Sequence, residues 1–161
     1  MSKLINIIFL DIDGVLCNPR SCLAVGNSDR GYTYLDPIAC LLIKKLCDEC
    51  NARLVISSSW RMWFDKSAMA AILNANCLNL GDMILDDHKF WRTKNLNAFK
   101  GKEIEDWIKN SALNYINFVI IDNNNDIGNL SWAHVKTNAY DGIGYMNYLN
   151  AKKILNGKWD E

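Results

Sequence analysis

The sequence predicts an α/β fold with a mainly parallel central sheet, on three observations. Three short apolar runs, Leu4–Leu10, Arg53–Ser57 and Tyr115–Asp122, each stop on acids or serines, as strands buried on both faces do. Between them lie segments with helical periodicity, so strand and helix alternate. Finally, the 161 residues are half apolar and only 22% charged, which suits one folded domain over residues 1–161 and argues against disorder.

The first run, Leu-Ile-Asn-Ile-Ile-Phe-Leu, halts at Asp11 and Asp13, followed by Gly14. Open parallel sheets bind ligands at the carboxyl ends of their strands. Two carboxylates set side by side there repel unless a cation or proton offsets them. Residues 17–35, with Pro19, Gly26, Asn27, Ser28 and Gly31, read as a long loop or short hairpin overhanging that end, with Arg20 and Arg30 as its cations. Asp36-Pro37 starts a helix, and Ile38, Leu41, Leu42, Leu46 and Cys50 carry it to Asn51.

The second strand, Arg53–Ser57, flows into Ser58-Ser59-Trp60-Arg61. Serines at a strand end offer donors to an anion, and a crossover through the preceding helix sets this strand beside the first. A second helix is expected over residues 62–73. Residues 82–99 are the least legible, and Asp86, Asp87 and His88 within them read as a polar loop rather than a metal cluster. Lys100 opens a helix with Ile104, Trp107 and Ile108 on one face, although a lysine at a helix N-terminus opposes the helix dipole. The third strand ends at Asp122, followed by Asn123, Asn124, Asn125 and Asp126. Residues 133–136 predict a fourth short strand in which His134 is structural, and residues 145–155 a closing helix.

Eighteen basic and eighteen acidic residues cancel, so no bulk field draws the chain to nucleic acid or an anionic membrane, although a local basic groove is compatible with that balance. The apolar start runs into Asp11 too soon for a secretory signal, and no segment is long enough to span a bilayer. Six cysteines are therefore expected as reduced thiols in a cytoplasmic protein. The Cys47-x-x-Cys50 pair has no partner motif and reads as helix packing.

Three strand ends thus contribute Asp11 and Asp13, Ser57 to Ser59, and Asp122 and Asp126. Oxygen-only ligands of this kind suit Mg²⁺, which keeps several waters and also binds substrate phosphate. A carboxylate can attack phosphorus to give an aspartyl-phosphate, while a second acid moves the proton. Neither histidine sits in a motif that would serve a serine nucleophile.

Phe9-Leu-Asp-Ile-Asp-Gly-Val15 resembles the first motif of the haloacid dehalogenase (HAD) superfamily of phosphotransferases. Ile56-Ser-Ser-Ser-Trp-Arg61 resembles its second, Lys100-Gly-Lys-Glu-Ile-Glu-Asp-Trp-Ile108 fills the place of its third, and Ile120-Ile-Asp-Asn-Asn-Asn-Asp126 resembles its acidic fourth. The Ser-Ser-Trp-Arg and Gly-x-Glu-Ile-x-x-Trp signatures resemble most the HAD domain of Swiss Army knife RNA repair proteins, related to the phosphatase of polynucleotide kinase-phosphatases.

The resemblance implies a three-layer, Rossmann-like domain, capless or minimally capped, and Mg²⁺-dependent phosphatase chemistry. It makes Asp11 the nucleophile and metal ligand, and Asp13 the general acid/base, ligating metal through its carbonyl. Ser58 would bind the phosphoryl group, with Ser57 and Ser59 as alternative registers. Lys100 is the motif III lysine, with Lys102 as the alternative. Asp122 and Asp126 complete the metal site, and Arg61 and Arg20 are candidate substrate contacts. Asn123 departs from the paired acids common in relatives. An open site suits a nucleic-acid end, a phosphoprotein or a nucleotide. The competing readings are a small-molecule nucleotidase and a non-catalytic module that keeps the fold.

Overall fold

The computed structural model describes residues 4–25, 34–113 and 116–157. Its core is a four-stranded, all-parallel sheet in the order β2-β1-β3-β4, formed by β1 (Ile5–Leu10), β2 (Ala52–Ile56), β3 (Ile116–Asp122) and β4 (His134–Lys136). Strand alternation sends β1 side chains to two faces. Ile8 and Leu10 join Leu54, Ile56, Val119 and Ile121 under α2 (Pro37–Cys50), α3 (Lys66–Asn76) and α5 (Tyr145–Leu155). Ile7 and Phe9 join Val55, Phe118 and Ile120 on the opposite face under α4 (Lys100–Asn110). The fold is therefore three-layered and Rossmann-like, as expected.

The helix starts follow local chemistry. Asp36 caps α2 by accepting from the N–H groups of Ile38 and Ala39, with Pro37 at the first position, and Asn51 ends the helix in the left-handed region at φ 48°. Of the residues expected on the apolar face of α2, Leu46 and Cys50 are buried and Leu42 half-buried, whereas Ile38 and Leu41 are exposed; Ala39, Cys40, Ile43 and Cys47 make up the rest of the buried face. All six cysteines are free. No helix among the described residues is long and apolar enough to cross a membrane.

Three segments differ from the sequence expectation. The stretch after Gly14 is not simply a loop, because it contains α1 (Pro19–Val25). Asn18-Pro19 repeats the capping chemistry of Asp36-Pro37, with Asn18 Oδ1 accepting from the Ser21 N–H at 2.9 Å. Arg30 lies outside the described residues. The second helix begins at Lys66, capped by Asp65, because Ser59–Met62 turns as a short 3₁₀ segment first. Residues 82–99 line the free edge of β2. The Leu85 N–H bonds Leu54 O at 2.8 Å, and Ile56 exchanges hydrogen bonds with Trp91 O and the Thr93 N–H. Neither insertion forms a separate cap among the described residues.

Candidate active site

The sheet register builds the site. Leu10 lies level with Ile56 on one side and Ile121 on the other. The next residues, Ser57, Asp11 and Asp122, therefore form a row across three adjacent strand ends. The pairing continues into that row, since the Asp11 N–H bonds Ile121 O at 3.1 Å and the Ser57 N–H bonds Leu10 O at 3.0 Å. Alternation puts all three on the face covered by α4, because Phe9, Val55 and Ile120 precede them by two positions on that face.

Lys100, the first residue of α4, spans the row. Its Nζ lies 2.8 Å from Asp122 Oδ2 and 3.5 Å from Asp11 Oδ1, and donates to Ser57 O at 3.0 Å. The acids beneath it offset the unfavourable end of the helix dipole. Asp122 is fully buried and Asp11 is 8% exposed. Burial raises the Asp11 carboxyl to about 6; Lys100 opposes that rise and the Asp122 charge adds to it. Asp122 is fixed through Oδ1, which accepts from the Asn124 N–H at 2.8 Å. Its carbonyl meets His134 Nε2 at 3.1 Å, which gives that histidine the structural place expected of it.

Asp13 sits apart from the row and is exposed. The Trp60 indole N–H donates to its Oδ2 at 3.1 Å, so one carboxylate oxygen is held and the other is left for chemistry. Gly14 is required by its backbone at φ +73°, and a Cβ there would lie 2.6 Å from the Asn123 side chain. Asn123 thus packs against the turn that carries Asp13. Thr137 Oγ1 holds that turn from the other side, donating to Gly14 O at 2.7 Å.

The two sequence signatures meet in space. Arg61 is a correction to the sequence reading, which offered it as a substrate contact. It is 6% exposed, and its guanidinium donates to the carbonyls of Ser57 at 2.8 Å, Ser58 at 2.6 Å and Thr93 at 3.0 Å. Its remaining nitrogen pairs with Glu103 at 2.7 Å, and Glu103 also accepts from the Leu96 N–H at 3.0 Å. Arg61 therefore braces the serine turn against α4. Gly101 lets α4 come close enough, since a Cβ there would fall 2.0 Å from Ile127 O. Trp107 secures the far turn by donating to Phe90 O at 2.9 Å.

The other expected residues divide. Ser58 is fully buried, and its hydroxyl caps the 3₁₀ turn by accepting from the Trp60 N–H. The hydroxyl in the acid row is that of Ser57, while Ser59 opens the turn and is half-buried. Lys102 points away and pairs with Glu105 at 3.6 Å, whereas Lys100 faces the acids. Asp126 is the residue expected to complete the metal site. It is exposed, and it is its carbonyl that acts here, accepting from the Gly101 N–H at 3.0 Å. Arg20 is drawn to Asp36 and Asp141, at 3.8 and 3.7 Å, rather than to the acid row. Sequence reasoning overlooked Trp60 and Glu103 as individual contributors. The signal for Glu103 was its position on the same helical face as Lys100, Ile104 and Trp107.

The residues present fit a magnesium ion. Asp122 Oδ2 and Ser57 Oγ are two of four buried side-chain polar atoms without a hydrogen-bond partner among the described residues, and both border Asp11. Asp122 Oδ2 is charge-paired with Lys100 Nζ at 2.8 Å, whereas the Ser57 hydroxyl has no partner among the described residues. No trio of His, Cys, Asp or Glu side chains encloses a metal among the described residues. One or two carboxylates completed by backbone carbonyl, water and substrate phosphate is the arrangement Mg²⁺ favours.

A parallel three-layer sheet with an acid row at its strand ends, spanned by a lysine from the preceding helix, defines a HAD-type domain. A family model described as the HAD domain in Swiss Army Knife RNA repair proteins matches residues 7–145, and the chain belongs to that family. Membership places it among phosphohydrolase-type domains. No curated protein and no solved structure matched the chain.

Proposed function

We propose that residues 1–161 form one Mg²⁺-dependent phosphatase domain that works through an aspartyl-phosphate on Asp11. The observation that carries this reading is the row of Ser57, Asp11 and Asp122 beneath Lys100, with Asp13 held alongside by Trp60. An Asp11 oxygen attacks phosphorus while the bond to the leaving oxygen breaks, and Asp13 gives that oxygen its proton. Asp13 then takes a proton from water as the water attacks the phosphoaspartate, releasing inorganic phosphate and freeing Asp11. Lys100 and the donors of the serine turn neutralise the phosphoryl oxygens. Magnesium, when held by Asp11, Asp122 and the Asp13 carbonyl, supplies further positive charge to those oxygens.

Two features support a nucleic-acid end or a nucleotide as substrate. The family's members are described from RNA repair proteins, and no cap encloses the site among the described residues. A cytoplasmic setting accords with six free thiols. The test is hydrolysis of an aryl phosphate, mononucleotides, and 3′- and 5′-phosphorylated oligonucleotides, with and without Mg²⁺. Turnover is expected to need Mg²⁺ and to vanish in Asp11→Asn; full turnover by that variant would overturn the mechanism.

A further inference from the structure

A second feature lies beside the acid row and takes no part in the chemistry above. Residues 88–89 and 92–96, with the end of the Ser59–Met62 turn, line an open groove of about 720 Å³. Its cationic side chains besides buried Arg61 are Lys89, Arg92 and Lys94, with His88 alongside, and no acid lines it. All four are exposed. Among the described residues, Lys89, Arg92 and Lys94 have no ion-pair partner. Lys89 lies over the Phe90 ring at 5.2 Å, and Arg92 over the Trp91 ring at 5.0 Å while also donating to Arg61 O. The nearest acids in sequence are already engaged: Asp86 pairs with Lys66 at 2.9 Å, and Asp87 accepts from the N–H groups of Lys89 and Phe90. In a chain of zero net charge, this is a local concentration of positive charge along the groove.

The groove is tied to the site by backbone pairing. Arg92 lies level with Ile56 across the edge of β2, and the residue after Ile56 is Ser57, next to Asp11. One strand spacing separates the Arg92 position from β2, and two, roughly 10 Å, separate it from β1, which carries Asp11. Arg61 joins the two regions through its bonds to Ser57 O, Ser58 O and Thr93 O. Met62 and Leu96 add apolar surface to the lining.

We propose that this groove binds the sugar-phosphate backbone of a single-stranded nucleic acid and leads its phosphorylated end to Asp11. A positive groove with apolar surface from Met62 and Leu96 suits a sugar-phosphate backbone, which is held by charge without sequence preference. A small phosphate ester would fill the acid row alone and leave the groove unused. The inference rests on the phosphatase reading only for what happens to the strand's end; binding can be measured separately.

The test compares wild type with Lys89→Ala/Lys94→Ala, two exposed positions outside the acid row. Fluorescence anisotropy follows binding of labelled single-stranded RNA and DNA carrying a terminal phosphate, and aryl phosphate hydrolysis runs in parallel. Losing two phosphate contacts should weaken oligonucleotide binding on the order of fifty-fold at about 50 mM salt and flatten the salt dependence by about 1.4 in log–log slope. Aryl phosphate turnover should stay within about twofold. Unchanged oligonucleotide affinity and salt slope would overturn the groove and leave the phosphatase reading intact. Loss of both activities together would assign the lysines to the acid row and also overturn it. A phosphopeptide bound in a lysine-dependent way while neither oligonucleotide binds would replace the occupant with a protein. If no phosphate ester is hydrolysed but lysine-dependent oligonucleotide binding persists, the phosphatase reading fails and the groove stands. Comparison of the RNA and DNA arms identifies the preferred strand.

Discussion

Replacing Asp11 with asparagine should abolish turnover and, in metal-free protein, make the fold more stable. The Asp11 carboxyl is raised from 3.8 to about 6 by burial, with Lys100 opposing the rise and Asp122 adding to it. An acid whose folded value lies above its unfolded value costs stability as pH rises between the two, because the unfolded chain releases its proton first. At 1.36 kcal/mol per pH unit, the cost at pH 7.5 is roughly 3 kcal/mol. Asparagine removes that cost and leaves the 2.8 Å Lys100–Asp122 contact in place. For a chain of this length the gain corresponds to a rise in Tm of about 6–12 °C. It should shrink below about 1 kcal/mol by pH 4, where the wild-type carboxyl is protonated in the folded protein. Thermal unfolding in EDTA across pH 4–8 measures it. Magnesium should then raise the wild-type Tm by mass action and move the variant far less. A variant no more stable than wild type at pH 7.5, or equally stabilised at pH 4, would refute the account of a charge-strained acid row.

Three further outcomes test the scaffold. Glu103→Ala leaves the Arg61 guanidinium buried without its carboxylate, and should cost about 3–5 kcal/mol in urea unfolding. Gly101→Ala drives a Cβ against Ile127 O; α4 must shift and carry Lys100 from the acids, so aryl phosphate kcat should fall at least roughly tenfold, with about 1–3 kcal/mol of lost stability. Trp60→Phe keeps a ring but removes the N–H that holds Asp13. Its stability should drop by only about 1 kcal/mol, and kcat should fall more than KM changes.

Much of the architecture was legible because local chemistry decides it. Asp36-Pro37 is a helix start by capping and by proline's fixed φ, and it served as one. The apolar runs before Asp11 and Asp122 could bury only as central strands. Asn18-Pro19 carried the same signal as Asp36-Pro37, but turn residues around it obscured α1. Residues 82–99 have no period of their own because β2 supplies their hydrogen bonds.

The alternating α/β order, the placement of Asp11 and Asp122 at strand ends, and the family resemblance could all be read from the chain, since each depends on contiguous residues. Tertiary structure alone decided which side chains share a space. The strand register put Ser57 rather than Ser58 in the acid row. Helix phase turned Lys100 inward and Lys102 outward. Arg61 became a buried brace because Glu103, 42 positions away, arrives to pair with it. The basic groove likewise exists because residues 88–96 fold along the edge of β2, beside the serine turn. Charge counted along the chain sums to zero, whereas charge in a groove depends on which side chains the fold leaves without partners.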